Sequence, residues 1–303
     1  MASVIASFSQ ELASAAEQVG SSVIAVHARH RVPSSGIHWR KGLVVTANHT
    51  VRREDDITIL VHGGKRASAK LAGRDPSTDL ALLKFDQDSG VAIPQLGDPT
   101  ALKLANFVLA LGRTRFGNVV ASAGIIGGLG GEYRTWRGGR IDQSIRLDLA
   151  LYPGFSGGPL VNVEGKVLGL NTNGFGRGRA VTIPVATVNR VVDELLEKGH
   201  IARPYLGIAM QPVAIPEALR SKLKSSATGG LMVLHVELGG PADKAGIVLG
   251  DVIVELQGKA ALDTQHVQHL LASAKVNDRI GISILRAGSP LDLSITLGER
   301  AAK

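Results

Sequence analysis

The 303-residue sequence contains no cysteine. That excludes disulfides, thiolate metal sites and cysteine nucleophiles together, and leaves the redox compartment open. Aromatic residues make up only 4% of the chain, so few rings are available to stack nucleobases. No segment approaches the roughly 18 uncharged apolar residues of a membrane-spanning helix. The opening stretch, MASVIASFSQELASAAEQV, lacks a basic n-region and carries Gln10, Glu11 and Glu17 where a secretion signal needs an apolar run. It reads as an amphipathic segment over 1–19, with Val4, Ile5, Phe8 and Leu12 on its apolar face. The expectation is a cytoplasmic protein, or one whose targeting segment is absent from this sequence and which works in the periplasm or another extracytoplasmic space.

What is present fits a globular chain with two or three cores: 44% hydrophobic residues and 20% charged. The net charge is +8, with arginines in small groups: Arg113 and Arg115; Arg134, Arg137 and Arg140; Arg177 and Arg179. These groups lie among glycine turns, and solvated loops explain them better than nucleic-acid binding. From about 20 to 185 the chain is a succession of short β-branched runs, SVIAVHA, GLVVTA, DITILVH, LALLKF, NFVLAL, NVVASAGII and KVLGL. Strands at that density predict an all-β sandwich or barrel. PVATVNRVVDELLEKG then places Val185, Val188, Val191, Val192, Leu195 and Leu196 on one helix face. Pro184 suits its first turn and Gly199 its C-terminal cap. After HIARP, strands mixed with one clear helix (TQHVQHLLASA) predict a small α+β module. Gly127, Gly128, Gly130 and Gly131 are expected in a loop, and no helix follows them to make a phosphate cradle.

The chemistry is concentrated in LYPGFSGGPLVN, residues 151–162, where Ser156 stands among Gly154, Gly157 and Gly158. GFSGG also satisfies the G-x-S-x-G elbow of α/β-hydrolases, but that elbow needs a helix after the serine, and GGPLVNVEGKVLGL continues as strand. A serine hydroxyl needs a base to take its proton and an acid to orient that base. His49 ends an apolar strand in GLVVTANHTV. Asp79 precedes one in DPSTDLALLKF, where a carboxylate can be partly buried. The order His49, Asp79, Ser156 is that of chymotrypsin-like double barrels, with histidine and acid on one barrel and serine on the next.

TANHTV, DPSTDLALLKF and PGFSGGPL, followed by a C-terminal YLGI module, resemble the HtrA (Deg) family of serine proteases over nearly the whole chain. The resemblance implies a mainly β architecture: a trypsin-like double β-barrel over 20–200 and a small α+β PDZ domain over 204–300. It implies His49 as general base and then acid, Asp79 as its orienting partner and Ser156 as nucleophile. The N–H groups of Gly154 and Ser156 would form the oxyanion hole. Gly154 suits that role because its peptide must turn an N–H toward developing charge with no Cβ in the way. One such donor is typically worth about 3–4 kcal/mol of barrier.

The resemblance also implies that substrate lies as an added strand along Leu170, Asn171 and Thr172. Leu151 would line the primary specificity pocket and favour small aliphatic side chains, since no acid stands in ALYPG. In YLGI, the N–H groups around Tyr205, Leu206, Gly207 and Ile208 would hold a peptide's C-terminal carboxylate, with Val267 and Leu271 on the opposite wall. His266 and His269 lie one helical turn apart, but with no acidic or cysteine third ligand nearby they read as exposed helix surface. No metal or cofactor is expected. The expected partners are unfolded polypeptides, C-terminal peptides and two further copies of the chain in a homotrimer.

The chain departs from the family pattern in three places. Phe155 and Tyr152 stand where asparagine is usual. GRTRFG, residues 112–117, replaces the usual Gly-Asn-Pro loop. The link between the first two strands is only HRVPSSGIHWRKG. These departures predict an intact mechanism with altered activation or substrate preference. The orientation of the Gly154–Phe155 peptide should distinguish an assembled from a resting site. The rival reading is a peptide-binding, chaperone-like protein whose protease site rests inactive.

Overall fold

Most of the β-branched runs fold as the strands they predict. The computed structural model of the chain describes residues 3–30, 32–85, 91–175, 180–201, 204–223, 228–272 and 274–299. Arg177 and Arg179 lie outside the described residues. The chain divides into two compact units, 1–201 and 202–301.

The first unit starts with α1 (Val4–Gly20), capped by Ser3, whose hydroxyl accepts the Ala6 N–H. The strands β1 (Val23–His27), β2 (Ser34–Arg40), β3 (Leu43–Ala47), β4 (Ile57–Leu60), β5 (Arg66–Asp75) and β6 (Leu80–Phe85) follow. They close into a barrel in the order β1-β2-β3-β6-β5-β4. A second barrel is built from β7 (Phe107–Arg113), β8 (Val119–Gly130), β11 (Ser144–Asp148), β12 (Pro159–Asn162), β13 (Val167–Thr172) and β14 (Val181–Pro184), in the order β11-β14-β13-β12-β7-β8. A short hairpin, β9 (Tyr133–Arg134) with β10 (Arg140–Ile141), stands beside it.

Each barrel has its own apolar filling. Ile24, Val26, Val44, Ile59 and Leu83 are among the residues inside the first; Val108, Ile126, Ile145, Leu160 and Leu168 fill the second. A larger cluster spans the seam. Ile37, Val45 and Leu82 meet Leu111, Val161 and Leu170 there, joined by Ala15 and Val19 of α1 and by the apolar face of α2 (Val185–Lys198). Burial at the seam holds the two barrels in register. Trp39 reinforces it, donating from Nε1 to Asn189 Oδ1 of α2 at 2.8 Å.

Several expectations are corrected here. HRVPSSGIHWRKG is not a plain link, because residues 34–40 form β2. Its polar Ser34 and Ser35 are fully buried, and period-2 reading misses a strand that is covered on both faces. Gly127, Gly128 and Gly130 lie in β8, not in a loop. At Gly128 the Arg146 guanidinium lies over the backbone across the β8–β11 pair, in the space a Cβ would take. Leu196 is exposed, although the other five apolar positions of its helix pack inward. Pro184 is the N-cap of α2 and stands one residue ahead of the first turn, while Gly199 (φ 74) caps the other end.

The second unit contains β15 (Pro204–Tyr205), β16 (Ile208–Ala214), α3 (Glu217–Arg220), β17 (Gly229–Val236), α4 (Pro241–Lys244), β18 (Val252–Leu256), β19 (Lys259–Ala260), α5 (Thr264–Ala272), β20 (Arg279–Arg286), β21 (Ser289–Thr296) and β22 (Gly298–Glu299). Its main sheet runs β16-β17-β18-β20-β21, leaving β16 at an edge. That position tolerates Pro212, which cannot donate to a ladder. Among the described residues, no helix is long and apolar enough to cross a membrane.

Candidate active site

β3 is buried along its length and ends in a single helical turn, Asn48–Thr50, that presents His49. The turn is fixed by Thr50, whose buried hydroxyl bonds the Ala47 carbonyl at 2.7 Å. Asp79 stands immediately before β6, held in the left-handed region (φ 58) that aspartate tolerates better than most residues. Just ahead of it, the Thr78 hydroxyl donates to Asp75 Oδ2 at 2.7 Å, and the Asp79 carbonyl accepts the Asn48 N–H at 3.0 Å.

The Asp79 carboxylate is almost fully buried and takes three hydrogen bonds. Oδ1 accepts the His49 backbone N–H at 2.8 Å, and Oδ2 accepts His49 Nδ1 at 2.8 Å together with the Thr172 hydroxyl. Such a set satisfies the acceptor capacity of a buried carboxyl group. It assigns the proton to His49 Nδ1 and leaves Nε2 as the acceptor nitrogen. Gly174 closes the other side. Its N–H donates to Thr172 Oγ1 at 2.8 Å, and a Cβ there would collide with Asp79 Oδ2 and lie 2.7 Å from His49 Nδ1.

Ser156 lies on the turn between β11 and β12. Tyr152 O accepts the Phe155 N–H at 3.0 Å, with Pro153 and Gly154 (φ 102) at the turn's centre, a conformation that favours glycine at 154. The turn is clamped from both barrels. Ser156 O accepts the Ser35 N–H at 3.1 Å, Ser35 Oγ donates to Gly154 O at 2.7 Å, and Gly157 N–H donates to Asn171 O at 2.8 Å. Gly157 (φ 91) has no alternative, since a Cβ there would strike the Ser35 carbonyl. The Gly154–Phe155 peptide therefore turns its carbonyl to Ser35 and its N–H back to Tyr152 O, so this peptide itself offers no oxyanion donor. The N–H groups of Gly154 and Ser156 meet no protein acceptor among the described residues.

Phe155 is buried behind the turn, edge-on to Tyr152 with ring centroids 5.8 Å apart and packed on Gly112. The Ser156 hydroxyl donates to Asn173 Oδ1 at 3.0 Å, and no hydrogen bond joins it to the His49 ring. Sequence reasoning missed Asn173, Ser35 and the side-chain role of Thr172. None of the three carries a local signal, because each matters only through a partner distant in sequence.

Leu151 and Asn173 line a cavity of about 760 Å³ that also includes Ala150, Arg146 and Asp148. The lining is mixed and not purely aliphatic, and Asp148 supplies an acid from outside the ALYPG stretch. Leu170, Asn171 and Thr172 are buried and already paired. All three face β14, while Leu170 also pairs with Pro159 and Asn171 with the 157–158 backbone. An added strand has no room on Leu170 and Asn171.

A family described as trypsin-like peptidase domain matches residues 34–170, and one described as PDZ domain matches residues 204–297. Serine protease Do-like HtrA of Lactobacillus helveticus is 36% identical over 272 residues, covering 85% of this chain and 65% of that relative. In both domains and in their order the chain is similar to the HtrA (Deg) family. A probable periplasmic serine endoprotease, DegP-like, of Marinomonas sp. is 32% identical over 277 residues, covering 90% of this chain and 58% of the relative. The chain thus spans less than two thirds of the length of these curated HtrA relatives. Among solved structures, a serine endoprotease from Yersinia pestis matches with a TM-score of 0.72 at 26% identity, over 96% of this chain and 98% of that one. The HtrA-type protease AlgW with decapeptide matches with a TM-score of 0.71 at 25% identity, over 96% and 99%.

In the PDZ unit, Gly207 (φ 76) makes the bend between β15 and β16, and its carbonyl accepts the Glu237 N–H at 2.8 Å. The Leu206 carbonyl accepts the Ala242 N–H at 2.9 Å. Ile208 opens the edge strand β16, which α5 approaches. Val267 of α5 is 1% exposed and sits in the unit's core, whereas Leu271 is only partly buried against it. His266 does have an acidic neighbour: Asp263 accepts its N–H at 2.7 Å and lies 3.1 Å from its Nδ1, a local cap on α5. The His269 side chain lies outside the described residues. Among the described residues, no group of three potential ligands is placed to hold a metal.

Proposed function

We propose that the chain is a serine endopeptidase acting on unfolded or damaged polypeptides. The observation that supports this most is the buried Asp79 carboxylate, bonded twice by His49 and once by Thr172, beside the clamped Ser156 turn. His49 Nε2 would take the Ser156 proton as Oγ attacks the scissile carbonyl. The oxyanion would be met by the N–H groups of Gly154 and Ser156. His49 would then pass its proton to the leaving amine, and water would release the acyl group by the same steps in reverse roles. The acyl side of the substrate would pair beyond Thr172, at Asn173 and Gly174, with its side chain in the cavity beside Leu151.

In the second unit a peptide C-terminus would add to the β16 edge against α5. Its carboxylate would meet the amides near Leu206, Gly207 and Ile208, and its binding would modulate cleavage. Trimer formation would draw on α1, where Val4 and Ile5 are exposed.

One observation favours a second reading, a peptide-binding chaperone-like protein at rest: the Ser156 hydroxyl is bonded to Asn173 and not to His49. Fluorophosphonate labelling separates the two. The peptidase reading expects stoichiometric labelling lost in Ser156→Ala, and casein cleavage that responds to an added C-terminal peptide. Equal, weak labelling of both proteins, with casein left intact, would leave the resting reading.

A further inference from the structure

The three segments that depart from the family pattern meet in one place. Val32 and Pro33 precede β2, Arg115 and Phe116 lie in the β7–β8 turn, and Pro153 to Phe155 form the turn before Ser156. Together they wall a pocket of about 300 Å³, floored by Val120. The lining is overwhelmingly apolar, and Phe116 is 73% exposed at its mouth with the Arg115 guanidinium 4.6 Å from its ring centroid. Arg113 also borders the pocket, but its guanidinium nitrogens donate to the carbonyls of Val23, Gly117 and Gly20. Its charge is used within the fold, and the other lining cation, Arg115, lies against the Phe116 ring at the pocket's edge.

Position relative to Ser156 decides what could enter. Ser156 is flanked by β13 and Asn173 on one side and by Ser35 of β2 on the other. The Leu151 cavity lies on the Asn173 side. A peptide with its carbonyl at Ser156 and its acyl side along Asn173–Gly174 leaves across Ser35 and Pro33, which is where this pocket opens. Gly154, the proposed oxyanion donor, is part of its wall.

We propose that the pocket binds an apolar side chain, aromatic or branched aliphatic, carried by one of the first two residues on the leaving-group side of the scissile bond. This rests on the peptidase reading above. It makes Phe116 and Val32 specificity-determining residues, on loops that no catalytic step uses. Seating a large apolar side chain in such a pocket is worth about 10-fold in kcat/KM over glycine, the lower part of the range for apolar subsites.

The test uses the full chain and internally quenched peptides of one acyl-side sequence, with Gly, Ser, Asp, Leu or Phe at each of the first two leaving-side positions. The expected result is a Leu- or Phe-to-Gly ratio of kcat/KM near 10 at one position, falling toward 1 in Phe116→Ala. Val32→Ser, on the opposite wall, should lower the same ratio and guards against a change private to the Phe116 loop. Cleavage with no preference at either position overturns the inference and leaves the peptidase reading standing. A preference for Asp assigns the site to Arg115 and overturns it as well. If no peptide is cut and fluorophosphonate does not label Ser156, the peptidase reading fails and this inference falls with it.

Discussion

In the first barrel, His49 and Asp79 are tied to each other by two hydrogen bonds, and Asp79 is tied to the second barrel by Thr172. In the second barrel, Ser156 stands on a turn whose hydrogen bonds to the rest of the fold run through the backbone and Ser35, while its own hydroxyl bonds Asn173. Both barrels are closed, six-stranded and antiparallel, so the contrast does not come from architecture. It comes from what surrounds each group. The His49–Asp79 pair is sealed among groups it satisfies, whereas the Ser156 hydroxyl is bonded to a neighbouring amide, and its turn neighbours Gly154 and Phe155 line a cavity. One hydrogen bond holds the Ser156 hydroxyl, whereas three hold the Asp79 carboxylate.

The comparison predicts the largest losses where the sealed pair is opened. Gly174→Ala places a methyl group against Asp79 and His49, and displacement of a catalytic pair by about 1 Å costs roughly 100-fold. The expected outcome is a fall of that order in kcat/KM together with a lowered thermal midpoint, because the methyl group must displace a buried, hydrogen-bonded carboxylate. Near-normal turnover would mean the pair is not as rigid as argued. On the serine side the expected effect is smaller and opposite in sign. Asn173→Ala removes one neutral hydrogen bond that competes for the nucleophile, worth about 0.5–1.5 kcal/mol. The rate of fluorophosphonate labelling should rise about 2- to 10-fold. A slower rate would instead make Asn173 a group that holds the hydroxyl ready.

The same division marks what was legible in the sequence. His49, Asp79 and Ser156 could be named because each sits in a short motif at a strand end, and the order of motifs carries the architecture. β2 could not, since buried Ser34 and Ser35 look like loop chemistry until their partners across the seam are known. Leu170 to Thr172 look like a free edge in one dimension, and pairing to β14 on one side and to residues 157–159 on the other is a property of barrel closure. The glycines from 127 to 130 look like a loop because small residues usually are one. Here they clear space for Arg146 and Asp148. Phe155 was visible as a departure, but its burial against Gly112 and Tyr152 depends on contacts that no local pattern encodes.

The smallest effect separates the barrels by pH. In the first barrel, burial lowers the pKa of His27, and Arg66 and Arg53 lower it further; its Nε2 is buried without a hydrogen-bond partner. The folded state therefore prefers the neutral ring, and the unfolded chain binds the proton more readily below its ordinary value of about 6.5. Stability from this group is complete above that pH and is lost as pH falls toward the folded value. Beside the second barrel, between β10 and β11, burial raises the Asp142 pKa, but bonds from Thr187 and Arg190 and the charges of Arg190 and Arg140 outweigh it and hold the carboxylate below its usual range. That contribution is complete above about pH 4 and is lost only on further acidification. Hydrogen-exchange protection factors, corrected for intrinsic rates, should fall in β1 and β4 between pH 7.5 and 5.5 while β11 and β14 hold. His27→Gln should remove the difference. Parallel loss in both barrels, or an unchanged difference in the variant, would mean that another group governs the first barrel's acid response.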